Sequence, residues 1–580
     1  MGGIITSLFF LLIGRFLHIQ LFNAQKLAGS AFKQRLSNIN VERIRGNILD
    51  RNGIPFTNRD RKYLAFIKTA DMPEPGLERE KVCEILDMDV SMMDSLVASG
   101  KPSLFEIDEE AAGAIRQMGV DWVTILNSLD RYGKDGLAKH VVGYLSKKDR
   151  VGQAGIEKAY ENVLKNGPAY IIGTVTDATK NPIKGLGYRI KGMDTGEMLN
   201  VRLTLDYHVQ KIVEEAMDNN GISGAVVVED VLTGDILAMA SRPDFDQEAV
   251  ENYLDSDGNE LFNKAVAAYN LGSVFKIVDV AAFLENQDTS GGITNGGHVA
   301  GDGFYYNTPV SPGNTYSYSL YPYGPYDIYT RNWQYYCEGA VNVNGLIFRC
   351  HSYFEGGHGY LDMEKAFAVS CNSYFINLSL KTGYRKLIEM ARKFGLGEVT
   401  GIAGQGIAEA PGSLPPVDSY YSQADIANLS IGQGALLATP LQVADMVATV
   451  ANGGIRNRVN IADSIVDSNG NIVKNLRVKE GRRIISKETA DTIRDLMEAA
   501  TSSYGTGTDA VAGYYGGAGG KTGSAETGNP DVVHAWFAGY FPARNPRYSI
   551  AVFAENGKYG GKIAAPVFAE IARNMIEKGY

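Results

Sequence analysis

The longest apolar pattern in the chain surrounds Ser273. From Val274 to Phe283 almost every residue is apolar, and only Lys276 and Asp279 are charged. Apolar residues on every face of a helix are typical of a helix that is buried nearly all round. The sequence therefore predicts a central buried helix that begins just after Gly272.

Shorter apolar runs bounded by turn residues predict strands on both sides of this helix. Gly224 to Asp230 and Thr233 to Ala240 form one predicted hairpin of core strands. Val533 to Phe541 and Tyr548 to Asn556 form an antiparallel pair, and Pro566 to Lys578 form a final helix that covers one face. An antiparallel sheet packed by helices is an α+β fold, which is the class we expect.

Two further helical patterns carry distinctive polar residues. A helix over residues 360–383 is predicted with Ser370-Cys-Asn372 near its middle, and Ile431-Gly-Gln-Gly434 precedes a helix from Thr439 to Ala451. Between Asp288 and Gln334 the chain is rich in Gly, Asn, Pro and Tyr and has little periodicity. Such a long irregular stretch is typical of a functional loop.

The N-terminal residues are also apolar. Residues 4–13 and most of 16–22 lack charge, although Arg15 interrupts the run. The start is not basic and no small-residue cleavage site follows, so a cleaved signal peptide is not favoured. We expect a membrane anchor over residues 1–23, and the alternative is a buried N-terminal helix.

Composition narrows the function. The 580 residues allow two to four domains, and the net charge of −10 argues against nucleic acid as a partner. The four cysteines, Cys83, Cys337, Cys350 and Cys371, have no zinc spacing, and the seven histidines form no sequence cluster. The sequence therefore predicts neither a metal site nor a cofactor.

Ser273 and Lys276 are the first candidate catalytic pair. Residues three apart share one face of a helix, so the amine of Lys276 would lie beside the Ser273 hydroxyl. An amine in an apolar setting shifts toward its neutral form and can remove the serine proton. The spacing alone is weak evidence, because Ser30-Ala-Phe-Lys33 repeats it where no other catalytic residue is near.

Two later motifs strengthen the case for Ser273. Ser370-x-Asn372 offers a hydroxyl that can relay a proton and an amide that can hold a substrate. Lys521-Thr-Gly523 offers positive charge for a carboxylate on a predicted strand, whose edge can bind an extended peptide. Lys381-Thr-Gly383 has the same letters, but it lies at a predicted helix end, where glycine is an expected stop signal.

With these three motifs, the chain from about residue 43 to the C-terminus resembles a class B penicillin-binding protein. The resemblance extends to other segments, which are Arg45-Gly-Asn-Ile-Leu-Asp-Arg-Asn-Gly53, Gly155-Ile-Glu157, Thr204-Leu-Asp206, Asn263, Ile431-Gly-Gln-Gly434 and His534-Ala-Trp-Phe537. It implies a pedestal domain over residues 24–195 and a serine β-lactamase-like transpeptidase domain over 196–580, with an insert at 288–345. It also implies a membrane-anchored enzyme whose catalytic domain is outside the cytoplasm.

The resemblance further implies peptidoglycan D,D-transpeptidation. Ser273 would attack the D-alanyl-D-alanine of a stem peptide with Lys276 as base, and Ser370, Asn372 and Lys521 would complete the catalytic set. Thr522, Gly523 and Ser524 would bind substrate, and the main-chain N–H groups of Ser273 and Ser524 would hold the oxyanion. β-Lactams would acylate the same serine, and a cell-wall glycosyltransferase is the expected partner.

Two other functions stay open on the sequence. A D,D-carboxypeptidase or β-lactamase uses the same motifs and hydrolyses the acyl-enzyme, whereas a β-lactam sensor or division scaffold keeps the fold without turnover. The anchor and pedestal argue against a small soluble β-lactamase. The role in elongation, division or sporulation and the acceptor amine are not determined by these residues.

The cysteines lead to a separate hypothesis. A catalytic domain outside the cytoplasm meets conditions in which disulfides form. If residues 342–345 form a four-residue hairpin loop, the register places Cys337 opposite Cys350. We therefore predict a Cys337–Cys350 disulfide with Cys371 left as a buried thiol, and the alternative is three reduced cysteines that pack as small apolar residues.

Overall fold

A computed structural model describes most of the chain. The described residues are 3, 6, 9, 10, 12–15, 36–99, 103–133, 135–175, 188–194, 197–286, 333–510, 516–529 and 531–580. Much of the predicted anchor, the Ser30–Lys33 pair and most of the predicted insert therefore lie outside the described residues. Within the described part, no helix combines the length and apolar character needed to cross a bilayer.

The chain forms two compact units. The first contains Met1–Tyr207, Asp246–Val250 and Ala462–Arg477, and the second contains His208–Phe245, Glu251–Ile461 and Val478–Tyr580.

Three small sheets form the first unit. The strands of each sheet, in spatial order, are Leu36–Arg43, Ala169–Val175 and Tyr188–Asp194; then Ser103–Ile107, Asp60–Ile67 and Val123–Asp130; then Ile472–Asn475, Ala462–Val466, Asn200–Leu203 and Ile48–Leu49. From residue 36 onward, the described helices of this unit are Leu77–Ile85, Val90–Ser99, Glu109–Met118, Lys139–Val142, Gly155–Ala159 and Glu161–Leu164. The first three helices pack with the second sheet around a core that includes Trp122 and Cys83.

A buried ion network joins two of the segments that the resemblance had singled out in the first unit. Arg45 donates to Glu157 at 2.9 Å, and Arg131 donates to the other oxygen of the same carboxylate at 2.6 Å. Glu157 is fully buried, so its replacement would leave the buried Arg131 without a carboxylate partner. The network therefore holds the two segments together.

One antiparallel five-stranded sheet organises the second unit. Its strands, in spatial order, are Ile236–Arg242, Gly224–Asp230, Tyr548–Ala554, Val533–Phe541 and Gly519–Glu526. The predicted hairpin and antiparallel pair are confirmed. We call the last strand, Gly519–Glu526, the lysine strand; it lies at an edge of the sheet because its described pairing is with Val533–Phe541 alone.

Helices cover both faces of this sheet. Tyr207–Asn219 and Gly560–Glu577 share one apolar core with the central strands, and Pro440–Ala451 packs against three of the strands. The remaining helices of at least six residues are Lys276–Glu285, Met363–Ala368, Asn372–Thr382, Tyr384–Lys393, Gln423–Ser430 and Lys487–Thr501. The described α+β architecture therefore agrees with the predicted class.

Three short two-stranded ladders complete the second unit. Their pairs are Tyr335–Cys337 with Gly359–Leu361, Ala340–Val343 with Leu346–Arg349, and Ile455–Asn457 with Gly481–Arg483. All four strands of the first two ladders precede Ser370 in the chain. Their register decides where the cysteines lie.

Candidate active site

The central helix is confirmed, with a tighter first turn than the pattern predicts. Gly272–Phe275 forms a 3₁₀ turn, and the α-helix follows as Lys276–Glu285, which we call the serine helix. Its residues from Lys276 to Phe283 are all buried. Ser273 is half-buried at the start of this element, whereas Lys276 behind it is fully buried.

Close main-chain packing fixes the position of Ser273. Gly272 has φ +56°, and a Cβ there would lie 2.5 Å from the Ser524 carbonyl oxygen. Gly272 also donates its N–H to the Gly432 carbonyl at 3.0 Å, so the Ile431–Gly434 segment closes the other side. Trp536 donates its indole N–H to Asn270 at 2.9 Å. The glycines and the tryptophan thus hold Ser273 against the lysine strand.

The structure brings the predicted catalytic residues into one hydrogen-bond network. Lys276 Nζ lies 3.1 Å from Ser273 Oγ, 3.2 Å from Ser370 Oγ and 2.8 Å from Asn372 Oδ1. Lys521 Nζ donates to the same Ser370 hydroxyl at 2.9 Å. Ser370 therefore bridges the two amines, and a proton can pass along the chain of hydroxyl and amine groups.

Burial shifts the titration of both lysines. Both side chains are fully buried. Burial lowers the pKa of Lys276 to about 8, so about a tenth of the amine is neutral at pH 7. Burial and then the nearby Lys276 charge lower the pKa of Lys521 well below its ordinary value. Two adjacent buried cations are costly, and a carboxylate bound beside Lys521 would favour its charged form.

A buried carboxyl group also lies on the serine helix. Asp279 accepts a hydrogen bond from the Ser379 hydroxyl at 2.9 Å, and burial raises its pKa well above the ordinary value. This contact joins the serine helix to the helix Asn372–Thr382. It therefore positions the two motif-bearing helices, a role that no motif in the sequence indicated.

The position of Ser370 differs from the prediction. The sequence pattern placed Ser370-x-Asn372 near the middle of one helix over residues 360–383, and this is wrong. Met363–Ala368 ends before Ser370, and Asn372–Thr382 starts after it with Cys371 as the N-cap. Ser370 has φ +56°, which a helix interior excludes and which costs energy for a side chain with a Cβ. The break presents its hydroxyl to both lysines.

The predicted substrate-binding residues lie on the lysine strand. Thr522 and Gly523 are buried, whereas Ser524 is exposed at the point where the strand passes the Ser273 turn. The Thr522 hydroxyl lies 2.7 Å from the hydroxyl of Thr506, a partner that the sequence analysis did not identify. Asn372 also has a hydrogen bond that the sequence did not predict: its side-chain amide donates to the Arg349 carbonyl at 3.0 Å.

The second Lys-Thr-Gly copy ends a helix, as predicted. Asn372–Thr382 terminates at Gly383, whose φ is +85°. Lys381 is exposed and its ammonium lies 3.8 Å from the centre of the Trp333 ring. This copy therefore presents no charge to the Ser273 network.

The predicted disulfide is wrong in this structure. Cys337, Cys350 and Cys371 are all reduced and buried, and the Cys337 and Cys350 sulfurs lie 3.7 Å apart. The reason is the hairpin register. Val343 pairs with Leu346 across a two-residue Asn344-Gly345 turn in which both residues have positive φ, so Cys350 lies opposite Gly339 rather than Cys337.

The structure groups four potential metal ligands that the sequence analysis did not associate. Cys337, Cys350, His358 and Cys371 place one ligand atom each within 4.8 Å of one another. The sequence did not indicate this group because its members come from different loops and strands. The fourth cysteine, Cys83, lies in the other unit.

Comparison with known proteins identifies the relatives of this site. A family model described as “Penicillin binding protein transpeptidase domain” matches residues 224–301 and 327–573. A second model, described as “Penicillin-binding Protein dimerisation domain”, matches residues 40–184. The first match contains Ser273, Lys276, Ser370, Asn372 and Lys521.

Individual proteins match over most of the chain. Stage V sporulation protein D of Bacillus subtilis is 28% identical over 97% of this chain and 84% of its own length. Peptidoglycan D,D-transpeptidase MrdA of Acinetobacter baumannii is 25% identical over 98% of this chain and 86% of its own. A solved structure, “Structural coordination of polymerization and crosslinking by a peptidoglycan synthase complex”, has the same fold, with a TM-score of 0.68, 23% identity, and coverage of 99% of this chain and 97% of that chain.

Proposed function

The chain belongs to the penicillin-binding protein transpeptidase family, and we propose that it is a peptidoglycan D,D-transpeptidase that acts through a serine acyl-enzyme. The observation that carries the proposal is the contact of 3.1 Å between Lys276 Nζ and Ser273 Oγ. It places a buried amine with a lowered pKa within reach of an accessible hydroxyl.

In the acylation step the neutral Lys276 amine removes the proton of Ser273. The Ser273 oxygen then attacks the carbonyl carbon of the penultimate D-alanine of a stem peptide. The bond to the terminal D-alanine breaks, and the leaving amine takes a proton returned through Lys276 and Ser370. An amine of a second stem peptide attacks the ester carbonyl, the bond to the Ser273 oxygen breaks, and the amine's proton passes through Lys276 to that oxygen, which restores the serine hydroxyl and the neutral lysine.

The lysine strand supplies substrate binding in this mechanism. Main-chain N–H groups of Ser273 and Ser524 hold the oxyanion, and such donors are worth about 2.7–4 kcal/mol in other enzymes. The close approach of Gly272 to the Ser524 main chain supports this role, because it leaves no side chain between the two segments. Lys521 and Thr522 face the substrate carboxylate, while Gly523 permits the close packing.

The nucleophile is tested by covalent labelling. β-Lactams present a strained amide to the same serine, so a fluorescent penicillin labels the wild-type protein. Ser273→Ala abolishes the label, whereas the matched control Ser30→Ala keeps it, because Ser30 has the same Ser-x-x-Lys spacing but lacks the other two motifs. Persistence of the label in Ser273→Ala would reject this assignment.

Cross-linking separates a transpeptidase from a hydrolase or a sensor. Mass spectrometry of muropeptides made in vitro should detect peptides joined between stem peptides when the wild-type protein is supplied with a glycan polymer. Release of D-alanine without cross-links would indicate a carboxypeptidase, and no release would indicate a sensor. A cell-wall glycosyltransferase is the partner we propose, because cross-linking needs a polymerised glycan as substrate.

The proposal also covers the organisation of the chain. Residues 1–23 form the membrane anchor, residues 24–195 the pedestal and residues 196–580 the transpeptidase domain with its insert at 288–345. The catalytic domain lies outside the cytoplasm, where peptidoglycan is cross-linked. Partition of the full chain with membranes, and protease access to residues after 195 from the outer side only, test this arrangement.

A further inference from the structure

The Ile431–Gly434 segment contains a polar side chain that the mechanism above does not use. Gln433 is half-buried beside Glu526, the last residue of the lysine strand. In the amide orientation that satisfies both groups, its side-chain oxygen accepts from the Glu526 N–H at 3.1 Å and its nitrogen donates to the Glu526 carbonyl at 3.3 Å. A primary amide offers the same kinds of donor and acceptor as a peptide group. Gln433 therefore takes the place that a residue of a further strand would occupy.

Two glycines fix the main chain on either side of Gln433. Gly432 has φ +70° and Gly434 has φ +80°, values that residues with a Cβ rarely adopt. The Gly432 carbonyl accepts from the Gly272 N–H at 3.0 Å, and the Gly434 carbonyl accepts from the Asn270 side chain at 3.1 Å. The Gln433 amide is thus tied to the turn that carries the proposed nucleophile.

Strand geometry indicates which groups of the lysine strand face its unpaired side. Within the described residues, the lysine strand pairs with Val533–Phe541 alone. The N–H and C=O of one residue point to the same side of a strand, and this side alternates between successive residues. The groups of Glu526 point away from the partner strand, because they bind Gln433. The main-chain groups of Ser524 and Thr522 therefore point outward too.

The inference rests on the proposed function, which sets the register of a stem peptide on this edge. The substrate carboxylate lies near Lys521, and the carbonyl of the penultimate D-alanine lies at the Ser524 N–H. The peptide therefore runs antiparallel to the lysine strand, with its penultimate residue opposite Ser524. In an antiparallel ladder the next residue to exchange hydrogen bonds is two positions further on. That residue is the fourth from the C-terminus of the peptide, and it would lie opposite Glu526.

We propose that Gln433 closes the peptide-binding edge of the lysine strand just after Ser524. The last three residues of a stem peptide fit along the strand. The fourth from the end is displaced, because the Gln433 amide already binds both main-chain groups of Glu526. Gln433 is therefore a specificity-determining residue that limits strand recognition to the C-terminal end of the peptide. It also covers an edge that could otherwise pair with any extended chain.

N-methylation of one peptide amide tests the closed edge. The probes are two synthetic acetylated peptides of four residues that end in D-alanyl-D-alanine. They differ only by a methyl group on the amide nitrogen of the fourth residue from the C-terminus. With Gln433 present this N–H has no partner on the strand, so the two dissociation constants should agree within about twofold. In Gln433→Ala the Glu526 carbonyl can accept it, so the methylated peptide should bind about fivefold more weakly, the factor that one neutral hydrogen bond supplies.

The dissociation constants are measured by ligand-observed NMR in full-length proteins that also carry Ser273→Ala, which cannot form the acyl-enzyme. Binding is then independent of turnover. Absence of a penicillin label on the wild-type protein would reject the proposed function, whereas the ratio of the two constants reports on the edge. Because both constants come from the same protein, the ratio also cancels a general loosening of the site.

Gln405→Ala is the matched control. Gln405 also binds two main-chain groups, since it accepts from the Ile461 N–H at 2.7 Å and donates to the Val459 carbonyl at 3.2 Å, but neither group belongs to the lysine strand. This variant should keep the ratio found with Gln433 intact. Gln433→Asn, whose side chain is one methylene shorter, is a second test variant and should resemble Gln433→Ala.

Three outcomes would overturn the proposal. A fivefold effect of methylation with Gln433 intact would show that the edge is open beyond Ser524. No effect of methylation in either Gln433 variant would show that the peptide does not reach Glu526. No binding of either peptide to any of the proteins would reject the register on which the inference depends.

Discussion

The two Lys-Thr-Gly segments of this chain have the same letters in opposite surroundings. Lys521 is fully buried on the edge strand and donates to Ser370, whereas Lys381 is exposed at a helix end and stacks over Trp333. An ammonium in water is well solvated, but a buried one interacts strongly with whatever charge lies beside it. The comparison teaches that the secondary-structure element that carries the tripeptide, and not the tripeptide sequence itself, decides whether its lysine can act in a catalytic site.

The lysine position should show the largest difference between the two segments. We expect Lys521→Ala to lower the acylation rate constant for a carboxylate-bearing β-lactam by about 10²–10³, the range found when one preorganised charge-stabilising donor is removed. Lys381→Ala should leave the rate constant within about twofold of wild type, because it removes an exposed cation. Stopped-flow acylation of both variants measures this, and equal losses would show that the comparison is wrong.

The pH dependence of acylation extends the comparison to the other buried lysine. Burial lowers the pKa of Lys276 to about 8, and only its neutral amine can accept the Ser273 proton. The acylation rate constant should therefore rise with pH, by about tenfold per unit below 8, and level off above it. A pH series on wild type and Lys381→Ala should give the same curve. A rate constant that does not change between pH 6 and pH 9 would exclude Lys276 as the base.

The sequence identified candidate catalytic residues that lie together in the structure, but it did not predict all of their geometry. The helix at Ser273 follows from a continuous apolar run, and the role of Lys521 follows from its strand pattern, since both signals are local. The break at Ser370 was missed because a single residue with positive φ leaves no periodic signature. It is enforced by contacts with Lys276 and Lys521, which are distant in the chain.

The cysteine region shows more clearly that local sequence patterns do not predict geometry set by contacts between distant residues. The predicted register of the hairpin assumed a four-residue loop, and the Asn344-Gly345 turn shortened it by two residues. That change places Cys350 opposite Gly339 in the ladder, although its sulfur still lies 3.7 Å from that of Cys337. The grouping of the three cysteines with His358 depends on strands that pair over longer distances. Propensity and spacing describe neighbours in sequence, so they could not predict this group.

Alanine at the glycine of each Lys-Thr-Gly segment should have different effects, with a loss of acylation at Gly523 and a loss of stability at Gly383. A Cβ at Gly523 would lie 2.7 Å from the Leu271 carbonyl oxygen and 3.0 Å from Val274, so Gly523→Ala must push the lysine strand away from the Ser273 turn. We expect acylation to fall by about tenfold or more, because small misplacements of reacting groups are costly.

Gly383→Ala is the matched control for that variant. Nothing lies within 4 Å of a Cβ at Gly383, but its φ of +85° disfavours alanine by about 1–2 kcal/mol. The melting temperature should therefore fall while acylation stays unchanged. Similar acylation losses in the two glycine variants would contradict the close packing assigned to Gly523.

The threonine position should show the smallest difference. Thr522 shares a hydroxyl contact of 2.7 Å with Thr506 on the buried side of the lysine strand, whereas Thr382 donates to the Leu378 carbonyl within its own helix. Thr522→Val keeps the shape but loses one neutral hydrogen bond, which is worth about 1 kcal/mol, so acylation should fall by about fivefold. Thr382→Val should leave acylation unchanged, since its helix still ends at Gly383.

Thr506→Val should match Thr522→Val, and the double variant should be no slower than either single one, because both remove the same contact. Additive losses in the double variant would mean that Thr506 supports acylation by a contact other than the one with the Thr522 hydroxyl.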